Sequence, residues 1–134
     1  MKKYMFLCLL LLVGCSTTQE NWETAIPELT TLGTDIVDEQ GNIKNGSFLE
    51  EFEEKVKQGI KSTVRIITYT EEGAPIVTTL DFDGENITTT KDERRDSNGL
   101  REFSTVQCKK IDVNEVERSL DYRLSGCEGD KWVL

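Results

Sequence analysis

Histidine is absent from all 134 residues. That removes the commonest general base and the commonest zinc ligand together, and it excludes a histidine-dependent catalytic triad. The chain also lacks a GxSxG elbow, a phosphate loop and a cysteine beside a plausible base. Carboxylates are numerous, yet no spacing marks two of them as a working acid and base. No enzymatic activity and no cofactor are therefore expected. Basic residues are scarce: 16 Lys and Arg stand against 25 Asp and Glu, a net charge of −9. A chain so charged repels nucleic acid and anionic headgroups, so no nucleic-acid partner is expected. Long apolar runs are missing too. Phe6 to Val13 is too short to cross a bilayer as a helix, which needs about 20 apolar residues.

That short run is nonetheless informative. Lys2 and Lys3 precede it, giving the basic head and apolar middle of an export signal. It closes with Leu12, Val13, Gly14 and Cys15, which resembles the lipobox of bacterial lipoproteins. The resemblance implies that residues 1–14 are a signal peptide, that the Cys15 thiol takes a diacylglyceryl group, and that a dedicated peptidase cuts between Gly14 and Cys15. Two acyl chains (palmitate is typical of such anchors) make a stable attachment at about 0.8 kcal/mol per buried CH₂. The implied location is the extracytoplasmic face of the cell membrane. The implied partners are the membrane itself, through the lipid on Cys15, and the lipoprotein-processing enzymes.

Cleavage there would leave 120 residues, enough for one modest core. Losing Lys2 and Lys3 leaves 14 basic against 25 acidic side chains, or −11. Electrostatic partners would be basic, although acids also simply keep a tethered domain soluble. Of the four cysteines, Cys8 would leave with the signal and Cys15 carries lipid. Cys108 and Cys127 remain, and an exported setting predicts that they are bridged. Such a bridge would contribute about 3 kcal/mol on the loop-entropy estimate.

Residues 15–34 are rich in Thr, Glu, Gln and Asn and read as a lipidated terminus and flexible tether. Trp22, Ile26 and Leu29 are apolar exceptions suited to local packing. Asp35 to Asn45, with its Gly41-Asn42 turn, reads as a lead-in of turn or short-strand character. Ser47 and Glu50 match a capping box. Phe48, Leu49, Phe52, Val56 and Ile60 then recur at helical spacing opposite a charged face, and Gly59 suits a C-terminal cap. Strands are expected at Thr63 to Thr70, Ile76 to Phe82, Glu85 to Thr90, Leu100 to Ile111 and Ser119 to Ser125. Asp83-Gly84 marks a two-residue hairpin turn. Lys91 to Gly99 reads as a solvated charged loop, and Trp132, Val133 and Leu134 as an apolar end that docks on the core. The expected fold is α+β over residues 35–134, with one amphipathic helix on an antiparallel meander of about five strands.

Several of these pieces resemble a family of small lipoproteins of Gram-positive bacteria classed only as a domain of unknown function. The resemblance runs from Ile36 to Cys127. It is most specific at Tyr69-Thr70-Glu71-Glu72-Gly73-Ala74-Pro75-Ile76 and Leu124-Ser125-Gly126-Cys127. It implies location, fold and disulfide, but no activity.

Three candidate sites remain. Asp81, Asp83 and Glu85 alternate around a hairpin, but a calcium loop needs further acids ahead and a bidentate Glu at its end, so no metal site is expected. Asp92, Glu93, Arg94, Arg95 and Asp96 form either a contact loop or a charged guard at the sheet edge. Arg65, Tyr69 and Thr79 share a sheet face that the helix would leave open. The expected function is a non-catalytic binding or accessory domain at the cell envelope, recognising an envelope or extracellular protein or glycan. The alternative is an inhibitor or immunity-type protein whose acidic surface opposes a basic enzyme or toxin.

Overall fold

The computed structural model describes residues 26–129. The expected signal peptide, Gly14, Cys15, Trp22 and the apolar end at Trp132, Val133 and Leu134 lie outside the described residues.

The chain first forms a tight hairpin of β1 (Ile36–Glu39) and β2 (Asn42–Lys44). Its two central residues are Gln40 and Gly41, at φ 56° and 90°, as a primed turn requires. Gly41 N–H donates to Asp38 Oδ1 at 2.8 Å, closing the turn from the side chain. What reads as a lead-in is thus a pair of strands, with its turn one residue earlier than Gly41-Asn42.

Helix α1 (Ser47–Gln58) follows. The expected capping box does not form: Gly46 occupies the cap position, with no side-chain cap bond, and Ser47 is already helical. Gly46 is there for closeness, because a Cβ would sit 2.7 Å from Val116 O. Gly59 does end the helix in the left-handed conformation. Ile60 N–H donates to Lys55 O and Gly59 N–H to Val56 O, a Schellman pattern. Leu49 and Phe52 are buried, and Phe48 and Val56 pack beside them. Ile60 lies past the helix end and stays exposed.

β3 (Ser62–Tyr69), β4 (Pro75–Phe82), β5 (Ile87–Asp92) and β6 (Phe103–Cys108) then pair antiparallel in succession. β1 joins beside β3 in parallel, Ile36 opposite Ile66, so the sheet order is β2-β1-β3-β4-β5-β6. Helix α1 lies in the connection that this parallel pairing demands. A second sheet pairs β7 (Lys110–Glu115) with β8 (Asp121–Ser125). The fold is mixed α+β, with six strands plus two in place of a five-strand meander.

Between β4 and β5 the turn centres on Gly84 and Glu85, closed by Asp83 N–H to Asn86 O. Gly84 has φ 103°, and Asp83 contributes its carboxylate rather than a positive φ. The expected strand from Leu100 to Ile111 is also divided. It bends at Lys109, where Gly126 packs so tightly that a Cβ there would meet Lys109 Cβ at 2.9 Å. Cys108 and Ile111 are both buried, although residues three apart on one straight strand face opposite ways.

Alternation gives the large sheet two faces. One presents Ile36, Val64, Ile66, Leu80, Phe82 and Ile87 to Leu49 and Phe52 of α1 and to Ile111, Val116 and Leu124 around the small sheet. The other carries Val37, Arg65, Ile67, Val77, Thr79, Thr90 and Asp92. Ile67 is fully buried there, outside the main core.

Candidate functional site

Residues 26–34 lie across this second face as a strap, and two arginines hold it. Arg65, in the middle of β3, donates from Nε to Asp35 Oδ1 at 2.8 Å and from Nη2 to Asp35 Oδ2 at 2.6 Å. The same Nη2 donates to Thr30 O at 2.7 Å. Asp35 Oδ2 also accepts the Leu32 N–H at 2.6 Å. Asp35 itself is 1% exposed. Burial pushes its pKa upward, but the bonds from Arg65 and Leu32 outweigh that and hold the carboxyl below its ordinary value. Asn45, at φ 59°, donates from Nδ2 to the Asp35 and Gly33 carbonyls, locking the strap's end to the helix entry.

The second clasp is Asp92. It belongs to β5 and is buried, rather than sitting in a solvated loop. Its Oδ1 accepts from Arg94 N and Nε at 3.2 and 2.9 Å, and its Oδ2 from Arg94 Nη2 and Arg95 Nη1 at 3.0 and 2.9 Å. Led by the Arg94 hydrogen bonds, this network holds the Asp92 carboxyl far below the usual carboxylate range. Arg95 donates its other terminal nitrogen to Pro27 O, and the Arg94 guanidinium lies 5.1 Å over the Phe103 ring.

Between strap and sheet remains an open hollow of about 230 Å³, whose walls include Leu29, Val77, Thr79, Thr90, Arg95 and Phe103. A second hollow, of about 200 Å³, lies beside α1 between Phe48, Lys55 and Ser62. The first gathers more chemistry, since it sets apolar walls beside guanidinium groups whose charges are already balanced.

Thr79 and Arg65 both line this hollow, Arg65 partly covered by the strap with its side chain 28% exposed. Asp83 spends Oδ1 on the Glu85 and Asn86 N–H groups at 2.8 and 2.7 Å, which lowers its pKa. Asp81 accepts a bond from Thr63. Among the described residues no group of three or more metal-ligating side chains forms. Cys108 and Cys127 are bridged. The β7–β8 hairpin turns through residues 116–120 and brings them together, in line with Lys110 opposite Ser125. Sequence reading missed Asp35 and the strap contacts. The available signal was a lone Arg65 within the β-branched run Thr63 to Thr70, since a charge on a covered strand requires a partner.

The fold and its clasped second face define a small α+β domain with a strapped, two-sided sheet. The chain belongs to the family described as Domain of unknown function (DUF4362), whose profile matches residues 33–123. No curated protein and no solved structure matches the chain.

Proposed function

We propose that the protein is a membrane-anchored lipoprotein of a Gram-positive bacterium, a non-catalytic binding or accessory domain held at the cell envelope by lipid on Cys15. The carrying observation is the lipobox-like Leu12-Val13-Gly14-Cys15. The domain supports the binding reading. Both carboxylates with lowered pKa on the second face are gripped by arginine, so they are fixed as anions rather than poised to exchange protons near neutrality. What that face offers is the hollow beneath the strap, where Leu29, Val77 and Phe103 stand beside the Arg65 and Arg95 guanidinium groups and the Thr79 and Thr90 side chains. An extended peptide or a glycan of the envelope suits such a surface.

The test has two parts. Replacing Cys15 with Ser should move the protein from the membrane to the soluble fraction, and continued membrane retention would refute the anchor. Capture from envelope extracts, with Thr79→Arg blocking the hollow, reads the binding role. A partner lost on blocking supports it. A single basic enzyme or toxin captured equally by both forms would instead favour the inhibitor reading, in which the exposed Glu50, Glu51 and Glu54 of α1 would be the contact.

A further inference from the structure

The described residues expose five large hydrophobic side chains, and three of them converge on one corner. Leu100 is 77% exposed, Phe103 55% and Ile26 38%. Phe103 and Pro27 border the same hollow, and Arg95 bonds the Pro27 carbonyl, so Ile26 enters the domain beside Phe103. Leu100 sits in the adjoining turn, which Glu93 N–H ties to Glu102 O.

The electrostatics of this corner differ from those of the rest. From Lys91 to Phe103 there are four cations, Lys91, Arg94, Arg95 and Arg101, and four anions, Asp92, Glu93, Asp96 and Glu102. The segment is neutral in a chain of net charge −9. Its charges are largely paired: Asp92 with Arg94 and Arg95, and Lys91 with Glu93 at 2.9 Å. An acidic domain approaching a bilayer is repelled wherever acids face the headgroups. Repulsion is weak here, where exposed Glu28 of the strap is the one surplus acid, and here the domain offers apolar side chains.

We infer that this corner, Leu100, Phe103 and Ile26, docks on the lipid surface and sets how the domain stands on the membrane. The inference rests on Cys15 being the lipid anchor. Only residues 16–25 separate Cys15 from Ile26, a reach of roughly 35 Å fully extended, and the chain enters the domain at this corner. Partial burial of Leu100 and Phe103 among headgroups gains apolar transfer energy, with little closure cost because the tether already holds the domain nearby.

The test couples the mature chain through its Cys15 thiol to a maleimide phospholipid in phosphatidylcholine vesicles, so it does not depend on lipidation in the cell. Hydrogen exchange is then compared with the untethered chain. Amides of residues 97–104 should exchange several-fold more slowly on vesicles, while those of α1 are unchanged. Leu100→Asp should abolish that protection without altering the melting temperature, since its side chain is 77% exposed. Ile60→Asp, at an exposed site past α1, should leave it intact. Equal exchange with and without vesicles would overturn the proposal. So would protection that appears only on adding envelope proteins, because the corner would then be a protein contact. Membrane retention of the Cys15→Ser variant in cells would instead strike the anchor reading, a separate result.

Discussion

Arg65 Nη2 lies 2.6 Å from Asp35 Oδ2 and 2.7 Å from Thr30 O, so one guanidinium neutralises a buried acid and fastens the strap above it. Asp35 is the buried member of the pair, so removing Arg65 leaves its charge unpaired away from water. Arg65→Ala should therefore lower unfolding stability by about 3–5 kcal/mol, measured by urea denaturation at neutral pH. An unchanged midpoint would mean that the strap does not bury the acid.

The pH dependence follows from the same groups. Asp35 and Asp92 are both held below the ordinary aspartate pKa in the folded state, by their arginine and backbone hydrogen bonds. A depressed carboxylate contributes stability above its unfolded pKa and loses that contribution as the pH falls toward its folded value. Stability should hold between about pH 7 and 5 and decline below about pH 4. The decline should be shallower in Asp35→Ala, as checked by denaturation across that range.

Arg95 links Asp92 to the Pro27 carbonyl. Arg95→Ala should free the strap's outer end while the Asp35–Arg65 clasp keeps its inner end. Limited proteolysis should then cut faster near residues 27–30, with the core signals of the domain unmoved. Equal cleavage rates would show that the Pro27 contact adds nothing.

Thr89 is fully buried on the core side of β5, and its hydroxyl has no hydrogen-bond partner. Valine has nearly the same shape without the polar atom. Thr89→Val is expected to stabilise the fold by about 1 kcal/mol, seen as a raised melting temperature.

The Cys108–Cys127 bridge closes a loop of sequence separation 19 around the whole β7–β8 hairpin. Reducing it should cost about 3 kcal/mol and unsettle Ile111 and Leu124, which pack the core from that hairpin. Calorimetry with and without reductant measures the loss.

Much of this fold is written in local patterns. The Leu49, Phe52 and Val56 stripe with Gly59 at its end specifies α1, because helical spacing and a left-handed cap depend only on near neighbours. The runs around Val64 to Tyr69 and Pro75 to Phe82 specify β3 and β4 through alternation and β-branching. The spacing of Cys108 and Cys127 about a turn specifies their bridge, since antiparallel pairing carries register from one end of a hairpin to the other. The bend at Lys109 was not legible there: Leu100 to Ile111 reads as one strand, and it is the packing of Gly126 against Lys109 that marks the break between β6 and β7.

Other features depended on contacts that no local pattern encodes. β1 lies parallel to β3, Ile36 beside Ile66, a pairing across thirty positions that exists only once α1 has carried the chain back. Asp92 looks like part of a solvated charged run, yet register with Val77 places it in β5 and buries it under its own arginines. The strap reads as tether by composition, but Arg65 and Arg95 bind its carbonyl groups, which every sequence possesses. Sequence alone therefore determined the helix, the central strands β3 and β4, the charge and the covalent bridge, all set by short-range periodicity and chemistry. Only the tertiary structure decided which face is strapped, which acids are buried and where the exposed apolar corner falls. Those outcomes depend on side chains and backbone groups that meet only after the sheet has assembled.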